Sequence, residues 1–213
     1  MNRTGKSLLA SICLLLMFAL WTAAICFVDV RAIGPQGSSV GFARLNLFFH
    51  NLTGVHFGLY RITDWLGLVP VFWGMGFGMV GLSQWYIRKR IVQVDRDILA
   101  LGGLYLVTLI AYFFFEIVII NYRPVLIDGI LSASYPSSTT MLVICVMPTA
   151  LMQCNRRVKS KMHRRIIAAS IILFIAFMVI GRLLSGVHWL TDIVGGSLLS
   201  SGLVLLYSAV GIM

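Results

Sequence analysis

The sequence predicts an all-α membrane protein, a polytopic six-helix transmembrane bundle with a short interfacial helix between the first two spans. Three observations support this prediction. Apolar residues make up 59% of the 213 residues, charged residues only 11%, and the mean hydropathy is +0.94. The apolar residues are concentrated in six segments, most of them near the length of about 20 residues that crosses a bilayer. Lysine and arginine fall mainly in alternate connections between these segments.

The six predicted spans differ in how clearly they are marked. They cover residues 7–28, 62–87, 98–120, 136–153, 166–184 and 191–212. The first apolar run is longer than the core of a cleaved signal peptide, so we interpret it as a retained span. The second contains Pro70 and several glycines, which are typical of close packing or a kink. The fourth is short for a span and opens at Pro136, a residue favoured at the first helical position.

The connection between the first two spans is too rich in glycine to cross the membrane and too apolar for a plain loop. Its middle part, from Phe42 to Leu52, is predicted to form a short helix in the membrane interface, where an apolar face could guide a lipid. The alternative is a packed cap over the bundle. Both interpretations place this segment at the outer end of the helices.

Lysine and arginine are distributed unevenly over the connecting segments. Twelve of the 17 lie in the N-terminal segment, in the second-to-third connection or in the fourth-to-fifth connection. Because cytoplasmic loops are enriched in these residues, both termini are predicted to be cytoplasmic, with the plasma membrane as the expected location. The other five, Arg31, Arg44, Arg61, Arg123 and Arg182, then face outward. Loops that contact anionic membrane lipids account for the net charge of +10, and no binding of nucleic acid is expected.

The stretch GRLLSGVHWLTD places Arg182, His188 and Asp192 close together at the outer end of the fifth and sixth spans. On a helix that already includes His188, the i, i+4 spacing puts His188 and Asp192 on one face. The carboxylate can then accept a hydrogen bond from one imidazole nitrogen and leave the other free to attack an electrophile. The guanidinium of Arg182 can hold a phosphate by two parallel hydrogen bonds.

Two further features are predicted at the same membrane surface. Arg123 precedes a proline at the outer end of the third span, and a run of four hydroxyl residues follows Pro136. A helix that starts there offers free N–H groups and a favourable dipole to an anion, and the hydroxyls of Ser137 and Ser138 add donors. Together these residues predict a phosphate pocket. We expect no metal and no cofactor, because no carboxylate cluster or pair of histidines with ligand spacing lies outside.

These residues resemble the integral-membrane type 2 phosphatidic acid phosphatases, a family of lipid phosphate phosphatases. That family has a lysine seven residues before Arg-Pro, then Pro-Ser-Gly-His, then Ser-Arg followed by a histidine and an aspartate at fixed spacing. Here the third part stands at 181–192 with its spacing intact, and Arg123 begins the matching Arg-Pro pair. The resemblance implies that His188 is a nucleophile that forms a phosphohistidine and that Asp192 orients it. It also implies phosphate-binding roles, which fall to Arg123, Arg182, Ser137 and Ser138.

Three positions depart from the family pattern. Glu116 stands where the family has its lysine, Gly181 replaces the serine, and Thr139 stands where the family has the histidine that protonates the leaving group. Loss of a general acid costs about 10²–10⁴ in rate. Glu116 brings a negative charge to a phosphate-binding position, unless it pairs with Arg123, is protonated, or faces another helix as a hydrogen-bonding group.

Two functions follow from this pattern. Residues 1–213 are predicted to form a single membrane-embedded, phosphatase-like domain that hydrolyses an isoprenoid diphosphate or a phospholipid phosphomonoester at the outer leaflet. The alternative is a non-catalytic relative that binds a lipid phosphate or a membrane partner. A six-span vitamin-importer subunit matches the size but gives no reason for the arginine, histidine and aspartate set. We favour the phosphatase, because nothing in a dead scaffold would keep that set together.

Overall fold

The structure is a computed structural model that describes residues 3–211, in which the chain forms eight α-helices. They are α1 (Arg3–Phe27), α2 (Ala43–Thr53), α3 (Phe57–Leu66), α4 (Leu68–Arg88), α5 (Arg96–Ile117), α6 (Ser138–Arg157), α7 (Lys161–Leu184) and α8 (Leu190–Val210). Two short strands, β1 (Arg31–Ala32) and β2 (Ser39–Val40), pair in antiparallel fashion after α1. The prediction of an all-α protein is therefore confirmed. Ile212, the predicted end of the last span, lies outside the described residues.

Five helical segments of the described chain are long and apolar enough to cross a membrane. They are α1 from Thr4, the run formed by α3 and α4, and helices α5, α7 and α8. The run of α3 and α4 is 32 residues long and is interrupted only at Gly67. The second span was predicted to start at residue 62, and this start is wrong because the helical run already begins at Phe57. A search for apolar runs misses the start of α3, because this helix contains polar residues.

The segment of the fourth predicted span forms α6, a helix of 20 residues that is not among these five apolar segments, so its crossing of the membrane stays a prediction. Helix α6 is rich in hydroxyl side chains and is buried on several sides by α4, α5, α7 and α8. It is the central helix of the bundle, so neighbouring helices surround much of its polar surface. The predicted helical start at Pro136 is wrong by two residues, since Ser137 is the N-terminal capping residue and α6 begins at Ser138.

The main packing of the bundle joins its first and last helices, α1 and α8. Gly202 lets them approach closely, since a Cβ atom there would lie 2.8 Å from a methyl group of Leu15. The hydroxyl of Ser11 donates to the carbonyl of Gly202 over 2.7 Å. At the start of α8, the indole of Trp21 donates to the carbonyl of Thr191 over 3.1 Å. The contact of Trp21 therefore holds the start of α8, where Asp192 lies.

The helix predicted from Phe42 to Leu52 is present as α2. The buried side chain of Asn46 connects it to α8, because its amide donates to the hydroxyl of Thr191 over 3.1 Å and accepts from the Thr191 N–H over 3.2 Å. Helix α2 therefore packs against the end of the bundle at which α8 begins. Its location in a membrane interface stays a prediction.

Candidate active site

His188 lies in the short connection between α7 and α8, two residues before α8 begins. The turn passes through Gly186 at φ +69°, and a Cβ atom there would collide with the carbonyl of Gly54. The imidazole is almost fully buried, with 3% of the residue exposed. Its Nδ1 lies 3.1 Å from the hydroxyl of Ser134, and its Nε2 lies 3.3 Å from Nη2 of Arg182.

The predicted direct contact between His188 and Asp192 is not formed. Helix α8 starts after His188, so the two residues do not share a helical face, and Nδ1 is 3.7 Å from Oδ2 of Asp192. This distance is too long for a hydrogen bond. The hydroxyl of Ser134 lies between them and donates to Oδ2 of Asp192. Asp192 is fully buried at the first turn of α8, where it also accepts the Trp189 N–H over 2.9 Å.

Arg182 lies in the last turn of α7 and is 1% exposed. Its partners come from α3: Nη1 lies 3.5 Å from the hydroxyl of Thr63 and 3.6 Å from a carboxylate oxygen of Asp64. The ring of Tyr60 stacks against the guanidinium at 4.9 Å. Gly181 permits this close packing, since a Cβ atom there would lie 2.9 Å from the methyl group of Thr63. Glycine in place of the family serine at position 181 therefore allows α3 to pack closely against α7.

A small cavity beside His188 is lined by Arg123, Glu116 and Ser138. The structure therefore brings Glu116 to the same cavity as the imidazole. Arg123 comes from the loop between α5 and α6, which a backbone hydrogen bond of 3.1 Å from Arg123 to Ser132 holds in place.

Three of the residues predicted to bind phosphate carry buried donors without a hydrogen-bond partner among the described residues. The atoms are Nε and Nη1 of Arg123, Nε of Arg182 and Oγ of Ser137. An unsatisfied buried donor costs about 1–3 kcal/mol, and more where the group is charged. Such donors around a histidine are the groups that phosphoryl oxygens accept from.

The electrostatic surroundings keep His188 uncharged. Burial lowers the pKa of His188 well below its ordinary value of 6.5, and the positive charges of Arg123 and Arg182 lower this pKa further. A neutral imidazole retains a lone pair on one nitrogen, which is the requirement for a nucleophile. Among residues 3–211, no group of three or more histidine, cysteine, aspartate or glutamate side chains is arranged to hold a metal ion.

A largely apolar groove of about 740 Å³ opens next to this cavity, between α4, α5 and α6. Thr139 lines the groove together with Asp64, and three residues line both the groove and the small cavity: Tyr112, Ser138 and Met141. A second apolar compartment of about 440 Å³ continues along α4 and α5. The two compartments share Gly74 and Tyr105.

Several residues at the site were missed from the sequence. Ser134 and Asn121 contact Asp192, the latter by its amide over 3.4 Å, and they lie two and three residues before a proline of the predicted motifs. Asp64 of α3 was also missed. The scarcity of acids, seven in the chain, was the signal that could have drawn attention to it.

Comparison with known proteins identifies the family and a similar fold. A model of the PAP2 superfamily matches residues 74–211, a range that contains every residue predicted for the site. The fold is similar to that of the crystal structure of the first transmembrane PAP2-type phosphatidylglycerolphosphate phosphatase from Bacillus subtilis. The TM-score is 0.62 at 18% sequence identity, over 93% of this chain and 94% of that chain. No curated protein sequence matches significantly. The predicted resemblance is confirmed: the chain is an integral membrane protein that belongs to the PAP2 superfamily, a family of phosphatases.

Proposed function

We propose that this chain is a lipid-phosphate phosphatase that hydrolyses an isoprenoid diphosphate or a phospholipid phosphomonoester through a phosphohistidine on His188. The main support is the position of His188, a buried imidazole whose Nε2 lies 3.3 Å from Nη2 of Arg182. Arg123, Arg182 and Ser137 carry buried donors without partners among the described residues, and these donors are suited to phosphoryl oxygens.

In the first step, Arg123, Arg182, Ser137 and Ser138 hold the phosphoryl oxygens. The lone pair on Nε2 of His188 forms a bond to phosphorus while the bond from phosphorus to the leaving oxygen breaks. In the second step, water attacks the phosphohistidine, which releases inorganic phosphate and restores the neutral imidazole. The arginines neutralise charge that develops on the equatorial oxygens in both steps.

The apolar groove supports a lipid as the substrate. It adjoins the cavity through Tyr112 and Ser138. A lipid whose phosphate lies in the cavity would therefore have its hydrocarbon chain in the groove. The groove is lined mainly by apolar side chains of α4 and α5, which match a hydrocarbon.

The second candidate is a non-catalytic relative that binds a lipid phosphate or a membrane partner. Thr139 favours this candidate, since its hydroxyl is a poor general acid at the position of the family histidine. Glu116 favours it as well, because its charge in the cavity opposes a phosphate.

The covalent intermediate separates the two candidates. With radiolabelled lipid and rapid quenching, the wild-type protein should accumulate an acid-labile, base-stable phosphoenzyme, which His188→Ala should abolish. Asp192→Asn should remain folded but form the intermediate slowly, since the imidazole loses the carboxylate at the end of its hydrogen-bond chain. Binding of the lipid without a phosphoenzyme would favour the non-catalytic relative, and full activity of His188→Ala would exclude His188 as the nucleophile.

The topology belongs to the same proposal. We propose one membrane-embedded domain over residues 1–213, with α6 as the sixth crossing helix, α2 in the interface, and both termini on the cytoplasmic side of the plasma membrane. The site then faces outward. A cysteine introduced at Ser132 should react with an impermeant thiol reagent on intact cells, whereas one at Ser160 should not. The reverse labelling would place the site in the cytoplasm.

A further inference from the structure

The imidazole of His188 and the carboxylate of Asp192 are connected by a third side chain, the hydroxyl of Ser134. Nδ1 of His188 and Oδ2 of Asp192 are 3.7 Å apart, too far for a direct hydrogen bond. The hydroxyl of Ser134 lies 3.1 Å from Nδ1 and within hydrogen-bond distance of Oδ2. All three residues are at most 3% exposed, so no solvent competes for these contacts.

Arg182 determines which atoms donate and which accept in the hydrogen bonds between His188, Ser134 and Asp192. A guanidinium can only donate, so Nε2 of His188, 3.3 Å from Nη2, must present its lone pair. A neutral imidazole with a lone pair on Nε2 carries its proton on Nδ1, which must donate to the Ser134 oxygen. The single proton of the hydroxyl is then directed to Oδ2 of Asp192, which accepts the hydrogen bond. Every contact of the imidazole is consistent with one tautomer.

We propose that Ser134 is a positioning residue, which accepts the Nδ1 proton of His188 and links the imidazole to Asp192, while Arg182 sets the tautomer. This inference rests on the proposed role of His188 as the nucleophile. When Nε2 bonds to phosphorus and the leaving oxygen departs, the imidazole becomes positively charged and keeps its proton on Nδ1. The Ser134 hydroxyl stabilises this charge by accepting from Nδ1–H while its own proton remains directed to the carboxylate.

The backbone of Ser134 has a separate, structural role that a side-chain substitution preserves. Its N–H donates to the carbonyl of Asn121 over 2.9 Å, and the neighbouring residues Tyr122 and Ala133 form a β-bridge. Asp192 also keeps two other donors, the N–H of Trp189 and the amide of Asn121. Ser134→Ala should therefore fold and remove only the link between the carboxylate and the imidazole.

The test compares Ser134→Ala with Ser134→Thr and with Ser11→Ala in the full chain. Ser11 is a matched control, because its hydroxyl is also fully buried and donates over 2.7 Å, but to Gly202. In rapid-quench experiments, Ser134→Ala should slow phosphoenzyme formation about 10- to 100-fold, the range seen when an outer hydrogen-bond partner of a functional histidine is lost. Ser134→Thr retains a hydroxyl and should recover most of this loss, while Ser11→Ala should match the wild type.

Nitrogen NMR of protein labelled with ¹⁵N-histidine provides a readout that a merely structural role would not change. The His188 signals, assigned by their absence in His188→Ala, should show a proton on Nδ1 in both the wild type and Ser134→Ala, because Arg182 still donates to Nε2. The Nδ1–H proton resonance should move upfield in Ser134→Ala, because the hydroxyl that accepts from it is lost. An unchanged Nδ1–H resonance and an unchanged phosphoenzyme rate in Ser134→Ala would overturn the inference. If the wild type forms no phosphoenzyme, the proposed function fails, and the NMR comparison still decides the role of Ser134.

Discussion

Thr139→His tests whether the missing general acid determines the choice of substrate. Thr139 is 9% exposed and lines the groove of about 740 Å³ beside Ser138. The position opposite it is a glycine, Gly67, where even a Cβ atom would lie 3.7 Å from the Thr139 methyl group. The groove and the absent side chain leave space for an imidazole ring. The variant should therefore fold, with the ring at the junction of groove and cavity.

The size of the effect depends on the leaving group. A phosphomonoester expels an alkoxide, which must be protonated as the bond breaks, and a positioned acid accelerates such a step about 10²–10⁴-fold. A diphosphate expels a phosphate whose second pKa is about 6, so it gains little from an acid. We expect Thr139→His to raise kcat/KM for phosphatidate at least 10²-fold and kcat/KM for polyprenyl diphosphate less than tenfold. The wild type should prefer the diphosphate.

The assay measures kcat/KM for both lipids in the same detergent, in the wild type, Thr139→His and Thr139→Gln. Glutamine is close to histidine in size but cannot act as an acid, so Thr139→Gln should show no gain with either lipid. Equal gains for both lipids in Thr139→His, or a wild type that prefers the monoester, would refute the leaving-group explanation. Glu116 would then be the next residue to test as the proton donor, since it lines the same cavity as His188.

Three further predictions follow from the groove, the packing of α3 and the state of His188. Gly78→Leu, which fills the second compartment, should lower kcat/KM about tenfold for a long polyprenyl diphosphate and leave a short one unchanged, since each excluded CH₂ forfeits about 0.8 kcal/mol. Gly76→Leu, on another face of α4, is the control, and equal effects of the two variants would contradict a chain in that compartment. Gly181→Ser should cost about 1–3 kcal/mol of unfolding free energy in detergent through contact with Thr63, and Thr63→Ala in the same chain should relieve it; additive losses would refute this packing. In a ¹⁵N NMR titration, His188 should stay neutral well below pH 6.5, and titration at or above 6.5 would refute the burial argument. The unfolded chain takes up this proton first, at a pH of about 6.5. The contribution of His188 to the free energy of unfolding should therefore be lost as the pH falls below about 6.5.

The long apolar helices could be predicted from the sequence because their composition alone identifies them. Five of the six predicted spans correspond to helices that are long and apolar enough to cross a membrane. The two elements that were predicted less well, α3 and α6, are those whose polar residues face other helices or the site. Burial by neighbouring helices, and not hydropathy along the chain, determines their environment. A search for apolar segments cannot detect this.

For the site, the sequence predicted which residues meet but not how they meet. His188, Asp192 and Arg182 are close in sequence, and their spacing alone indicated a shared location. The link through Ser134 could not be predicted, because it depends on how the loop before α6 packs against the turn before α8. These two segments are 54 residues apart between Ser134 and His188. The contacts of Arg182 with α3 likewise depend on tertiary packing, over a separation of 119 residues from Thr63.

Arg182 makes the docking of α7 depend on α3, a helix that comes earlier in the chain. Helix α7 on its own would present a guanidinium to lipid without partners, which is costly for a membrane helix. The partners lie on α3, which is synthesised and inserted earlier, so α7 gains Thr63 and Asp64 only when it docks against that helix. The Arg182 guanidinium therefore gains these partners in the same step in which α7 packs against α3. A chain in which α7 fails to dock against α3 keeps the Arg182 guanidinium without Thr63 and Asp64.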